Sequence, residues 1–235
     1  MSVFVLVPGA WHGGWCYKRV AKLLRVEGHE VFTPTNTGIG ERAHLYDPSI
    51  GLDTHVEDIM NVIKWEELDD FALVGHSYGG MIVTLVADRI PEKIRTLVYL
   101  DAFVPEDGKC EFDYLPIERV EAMRQDATSH SKGIAPIPAE VLQVNAKDVA
   151  WVNKMCTRHP IKTFEEPVKL SGGLSTLREK RAYIWSESYG SVTFKPFYER
   201  IKDDPNWRAY KVSGCGHDIM IDKPAELANI LLSLT

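Results

Sequence analysis

A pentapeptide, Gly75-His76-Ser77-Tyr78-Gly79, constrains this chain more than any other stretch. It follows the apolar run Phe71 to Val74 and opens a helical pattern that runs from about Tyr78 to Ile90. A strand that must become a helix within two residues forces the middle residue into a strained turn, with its side chain exposed at the strand end. Glycines on either side remove the side chains that would collide there. Ser77 is thereby a candidate nucleophile, and the helix N-terminus beneath it favours developing negative charge.

The flanking sequence supplies the scaffold that such a turn requires. Val3 to Val7 is a continuous β-branched run ended by Pro8 and Gly9, as expected of a strand buried on both faces of a parallel sheet. Cys16, Val20, Leu23 and Leu24 then recur at helical spacing, Gly28 stops them, and Glu30 to Thr33 reads as the next strand. Leu52, Val56, Ile59, Met60 and Ile63 describe one helical face. With strands at Phe71 to Val74 and Thr96 to Leu100, strands and helices alternate through the first hundred residues, which makes the class α/β.

Regularity then lapses for about eighty residues, more than a crossover connection needs. Pro105, Pro116, Pro136, Pro138, Pro160 and Pro167 break up short helical patterns before the strand Ala182 to Trp185. The pattern resumes with a helix near Phe194 to Lys202, a strand Arg208 to Val212 and a last helix Pro224 to Leu234. The reading is one structural domain: a core of residues 1–104 and 176–235, with a cap inserted at 105–175. The cap residues Phe112, Tyr114, Met123, Trp151, Met155 and Phe164 suit either an apolar pocket or ordinary packing.

Composition narrows the partners. Lys plus Arg is 27 against 33 for Asp plus Glu, a net charge of -6, which argues against binding nucleic acid. Met1 to Tyr17 and Phe71 to Ala87 lack charged residues, but both are glycine-interrupted and too short to cross a bilayer, so no membrane partner is expected. Met1 to Ala10 contains no basic residue, unlike a secretory leader, and a cytoplasmic location is expected. Cys16, Cys110, Cys156 and Cys215 lack CxxC spacing and read as small buried hydrophobes.

A serine hydroxyl is a weak nucleophile until a base takes its proton. His217, in Ser213-Gly214-Cys215-Gly216-His217-Asp218, follows the last strand and precedes the last helix, where a loop brings it to the same rim as Ser77. His76 lies inside the turn and His29 before a strand, while His44, His55, His130 and His159 fall on loops or polar helix faces and suit solvated or structural roles. A tetrahedral intermediate also needs backbone donors, and the glycine-rich turn Pro8 to Gly14 follows the first strand. The N-H groups of Ala10 and Tyr78 are the candidate oxyanion hole, with Trp11 and His12 as candidate substrate contacts. Gly38 to Ala43 fits GxGxxA, but no strand precedes it directly and no helix follows, so a dinucleotide is not indicated. Neither a metal nor any other cofactor is expected.

The chain resembles the α/β-hydrolases of the branch that holds plant methylesterases and hydroxynitrile lyases, together with bacterial esterases such as pyrethroid hydrolases. The likeness rests on Val3 to Trp15, Gly40-Glu41-Arg42, Leu52 to His55, Gly75 to Gly80, Asp101 to Gly108 and Gly216-His217. It implies a mostly parallel, doubly wound sheet of eight strands, six of them located above, with a helical cap inserted after the sixth. Many members carry the third catalytic residue, an Asp, shortly after the strand matching Ala182 to Trp185. Here the matching position is Tyr189, with Glu187 nearby.

The other candidate acid is Asp101, at the end of the strand Thr96 to Leu100, where some members of the superfamily place it. Both keep the order nucleophile, acid, histidine. Asp101 is preferred because a short carboxylate at a strand end orients an imidazole with less loss of entropy than a loop glutamate. The lyases resembled use a threonine in the first turn and a lysine after the catalytic histidine. Gly9 and Asp218 stand there instead, which disfavours lyase chemistry. The expectation is a cofactor-free serine carboxylesterase acting on a small to medium hydrophobic ester, with Ser77 as nucleophile and His217 as base. The alternatives are hydroxynitrile-lyase-like or perhydrolase activity on the same triad, or a non-catalytic receptor on a hydrolase shell. A small-molecule ester is the expected partner, and a homodimer is left open.

Overall fold

Alternate residues of a strand point to opposite faces of its sheet, and in this chain both sets are apolar. The computed structural model, which describes residues 1–130, 133–177 and 179–235, shows the result. Strands β1 (Val3–Val7), β2 (Glu30–Phe32), β3 (Phe71–His76), β4 (Ile94–Leu100), β5 (Arg181–Ser186) and β6 (Trp207–Val212) form one sheet in the order β2-β1-β3-β4-β5-β6. Every neighbouring pair is parallel.

Val5, Val7, Leu73, Leu97, Tyr99 and Tyr183 face one core, and Phe4, Leu6, Val74, Val98, Leu100 and Ile184 face the other. The first core is covered by α2 (Leu52–Trp65), α3 (Gly79–Arg89) and α7 (Lys195–Ile201). The second is covered by α1 (Lys18–Val26), α8 (Ile219–Asp222) and α9 (Pro224–Ser233). The elements α4 (Ile117–His130), α5 (Ala146–Met155) and α6 (Lys162–Glu165) lie between β4 and β5.

Two expectations need correction. The sheet has six strands among the described residues, all parallel, rather than eight that are mostly parallel, so the inserted segment follows β4 and not a sixth strand. Cys16 and Cys215 are buried as expected, but Cys110 and Cys156 are only half-buried. Within 105–175, residues 131 and 132 lie outside the described residues, as does the side chain of His130. No helix among the described residues is long and apolar enough to cross a membrane.

Chain order places the site. From β1 the chain winds to β2 on one side of the sheet, then returns to β3 on the other. Ligands in open parallel sheets bind outside the carboxyl ends of the strands at such a reversal, here between β1 and β3. Those two ends carry Pro8 to Trp11 and Gly75 to Gly79.

Candidate active site

Ser77 sits between β3 and α3 with φ +53°, the left-handed region that a residue with a Cβ rarely occupies. Such strain, of order 1–3 kcal/mol, persists only where the surroundings over-determine the conformation. Here the Ser77 N-H donates to the Leu100 carbonyl at 3.2 Å, and the Ser77 carbonyl accepts from Gly80 at 3.0 Å and Phe103 at 3.2 Å. A Cβ on Gly75 would come within 2.6 Å of the Gly79 carbonyl oxygen, so the turn closes only on glycine.

His217 reaches the same cavity from the loop after β6. Its backbone N-H donates to the Leu142 carbonyl at 2.9 Å, and its ring stacks on Phe194 with centroids 4.9 Å apart. Nδ1 lies 2.7 Å from Oδ2 of Asp101. That contact makes Nδ1 the protonated nitrogen and leaves Nε2 with its lone pair. Asp101 follows β4 directly, with φ +42° and no solvent exposure. Its Oδ1 accepts from the Ser186 N-H at 3.2 Å. Burial pushes the Asp101 carboxyl up, while His217 and the Ser186 N-H pull it back.

Glu187 is engaged elsewhere: its carboxylate is exposed, with Lys211 Nζ and Ser213 Oγ each 2.6 Å away. Those two partners hold its carboxyl below the usual range.

The turn after β1 lies opposite Ser77. A Cβ on Gly9 would come within 2.8 Å of His76 Nδ1 and 2.9 Å of Ser77 Cβ. Among the described residues the N-H groups of Ala10 and Tyr78 have no acceptor. Trp11, at φ +64°, is fixed by three bonds to residues between β4 and β5. Its N-H donates to His159 Nδ1 at 3.2 Å, its indole N-H donates to the Ile134 carbonyl at 3.1 Å, and its carbonyl accepts from Thr157 at 3.1 Å.

Trp11 lines the cavity, but His12 does not. The His12 ring is buried, with Nδ1 2.8 Å from the Ala10 carbonyl and Nε2 3.1 Å from Asp218 Oδ2. Burial opposes its charge, but the Asp218 carboxylate outweighs burial and carries the His12 imidazole well above its ordinary value. Burial likewise opposes ionisation of Asp218, and His12 overcomes it to hold that carboxyl far below the carboxylate range. The pair is a buried imidazolium-carboxylate, which removes His12 from the substrate-contact role expected of it.

Two other histidines take the structural one of the two roles expected of them. His55 and His159 have no solvent exposure. His55 Nε2 donates to the Thr37 carbonyl at 3.0 Å and Nδ1 accepts from the Tyr78 hydroxyl at 2.9 Å, while burial lowers its pKa to about 4. His159 accepts from the Trp11 N-H and donates to Thr163 Oγ1 at 2.8 Å, and burial holds it neutral as well. They brace the two sides of the site from beneath.

The cavity where Ser77 and His217 meet measures about 30 Å³. Ligand pockets usually enclose roughly 300 Å³ or more, so this cavity is well below that size. From the inserted segment the lining is Glu111, Leu115, Arg119, Ile137 and Leu142. Of the two roles open to the six aromatic and methionine residues of that segment, lining this cavity falls to none of them; Phe112, for example, packs edge-on against Phe164. Glu111 and the apolar liners carry no periodic signal that sequence reading could have used.

Comparison with known proteins bears on the family and the fold. The model of the alpha/beta hydrolase family matches residues 4–230. The carbendazim hydrolyzing esterase of Nocardioides sp. (strain SG-4G) is 46% identical over 100% of both chains. Methyl jasmonate esterase 1 of Vitis vinifera is 26% identical over 97% of this chain and 94% of its own. Among solved structures, an extracellular alpha/beta-hydrolase from a Paenibacillus species superposes with a TM-score of 0.85 at 21% identity, covering 100% of this chain and 99% of that one.

Proposed function

The chain belongs to the alpha/beta hydrolase family, and on that premise we propose that it is a serine carboxylesterase working through Ser77, His217 and Asp101. The observation that carries this reading is the 2.7 Å contact between Asp101 and His217 at the cavity that Ser77 also lines. Ser77 Oγ attacks the ester carbonyl while His217 Nε2 takes its proton, and Asp101 holds the ring and stabilises the imidazolium. The N-H groups of Ala10 and Tyr78, free of internal acceptors, receive the oxyanion. His217 returns the proton to the leaving alcohol, and water activated by the same imidazole clears the acyl-enzyme.

The relatives supply the substrate range to try first: methyl esters, for which one relative is named, and carbendazim, for which another is named. The test is intact-mass labelling with a fluorophosphonate, followed by turnover of p-nitrophenyl acetate, methyl esters and carbendazim. Labelling and turnover by the native chain, both lost in Ser77→Ala with an unchanged melting curve, support the assignment. Turnover that survives in Ser77→Ala removes it.

A further inference from the structure

Among the described residues, Glu111 is the one acidic side chain lining the cavity that holds Ser77 and His217. It is 5% exposed, and its Oε2 is fully buried with no hydrogen-bond partner. Arg119, exposed at the same cavity, forms no ion pair with it among the described residues, and its charge pulls the Glu111 carboxyl down by less than burial raises it. The local backbone fixes this placement. Glu111 opens a short 3-10 turn, Glu111–Tyr114, whose N-terminus is capped by Cys110 and Asp113, the Cys110 N-H donating to Asp113 Oδ2 at 2.8 Å. The neighbouring Phe112 is wedged against Phe164, which packs on Tyr78 directly after the nucleophile.

A buried polar atom without a partner is costly, and leaving one inside a reaction cavity makes sense when the bound molecule supplies the partner. Burial raises the Glu111 carboxyl to about 8, so at neutral pH it carries its proton and offers an O-H donor. The surrounding liners Leu115, Ile137, Leu142, Phe103 and Phe194 offer it no acceptor from their side chains, and Tyr189, Ser191 and Thr193 complete the lining without bonding to Glu111 Oε2.

We propose that Glu111 is a specificity-determining residue, whose carboxyl hydrogen-bonds a ring nitrogen of the substrate, so that the site selects esters of N-heteroaromatic compounds over their hydrocarbon counterparts. The assignment deepens the esterase reading, because it takes the bound molecule to be the ester. An analogue lacking the nitrogen leaves Glu111 unpaired, and sites built this way reject such analogues far more strongly than a purely apolar pocket does.

The test separates binding from turnover. In the Ser77→Ala background at pH 7, calorimetric titration compares methyl nicotinate with methyl benzoate, which differ by one ring nitrogen. The expected preference for the nicotinate is about tenfold or more. Adding Glu111→Leu collapses it to within about twofold, whereas Glu111→Gln, which retains a donor, preserves it. A merely structural role would weaken both ligands equally, and melting curves of each variant report folding separately. Equal binding of the two esters with Glu111 present, or a preference that persists in Glu111→Leu, overturns the proposal. Hydrolysis by the native chain is read on p-nitrophenyl acetate. Absence of that turnover with the nicotinate preference intact would remove the esterase reading and leave the Glu111 assignment standing.

Discussion

Asp101 and His217, 116 residues apart, meet at 2.7 Å because each leaves the carboxyl end of its strand toward the same rim. Asp101 adopts φ +42° to do so, and its two oxygens divide their work between the imidazole and the Ser186 N-H. The carboxylate therefore fixes both the tautomer and the orientation of the His217 imidazole. Replacing Asp101 by Asn keeps the shape but reverses the hydrogen-bond logic. The expected loss in kcat is about 10⁴-fold, against no more than a few-fold for Glu187→Gln. Steady-state turnover of p-nitrophenyl acetate by both variants decides between them, and the opposite ranking would move the acid to Glu187.

The His12-Asp218 pair is expected to be a stability element. Removing one partner of a buried ion pair strands the other, so His12→Ala should cost about 3–5 kcal/mol in urea unfolding. The pH window has two edges. Asp218 is depressed below its ordinary 3.8, so its contribution is present above that value and is lost as pH falls through the lower folded value. His12 is raised above 6.5, so its contribution is full below 6.5 and is lost as pH rises through the higher folded value. The native-minus-mutant stability difference should be largest between these edges, and a difference that is flat with pH would contradict the pairing.

Glu111 and His55 should tilt the pH-stability curve in opposite directions. Glu111 moves from an ordinary 4.5 to about 8, so the folded state holds the extra proton and stability falls as pH rises across that range. His55 moves from 6.5 to about 4, so the unfolded state holds the extra proton and stability falls as pH drops across that range. Each slope approaches about 1.4 kcal/mol per pH unit within its own window. Subtracting the curve of Glu111→Gln from the native one should isolate the first slope, because the His55 contribution is common to both curves.

Converting this site to cyanohydrin cleavage by importing Thr at position 9 and Lys at position 218 should fail. The Thr side chain would collide with His76 Nδ1 and Ser77 Cβ, and a Lys would place a cation beside the protonated His12. Gly9→Thr should abolish fluorophosphonate labelling, and Asp218→Lys should lower the melting temperature by ten degrees or more, at about 2–4 °C per kcal/mol for a chain of this size. Release of cyanide from mandelonitrile by the double variant would refute the argument.

The sheet was legible because buried parallel strands read as unbroken apolar runs, and all six that the pattern predicts occur within a residue or two of their expected ends. Ser77 was legible because a strand-turn-helix confined between glycines leaves few conformations. The two additional strands implied by family likeness were not found, and no apolar run in the chain had predicted them. From sequence, Asp101 is preferred over Glu187 on an entropic argument alone, since which carboxylate the fold turns toward His217 carries no sequence signal. The burial of His55 and His159 and the lining role of Glu111 were invisible for a related reason: polar residues carry no periodic signature, and their partners lie far away in sequence.

Trp11 carries a consequence for anyone wishing to redesign the substrate range. Its amide, indole and carbonyl are all tied to residues 134, 157 and 159, while its chain neighbour Ala10 lines the cavity that Ser77 also lines. The segment between β4 and β5 that helps line the pocket is thus also the jig that holds the turn after β1 in register. Grafting a cover from another hydrolase would bring new walls and leave that turn unmoored, so altered selectivity is better sought by point changes at the cavity-facing positions.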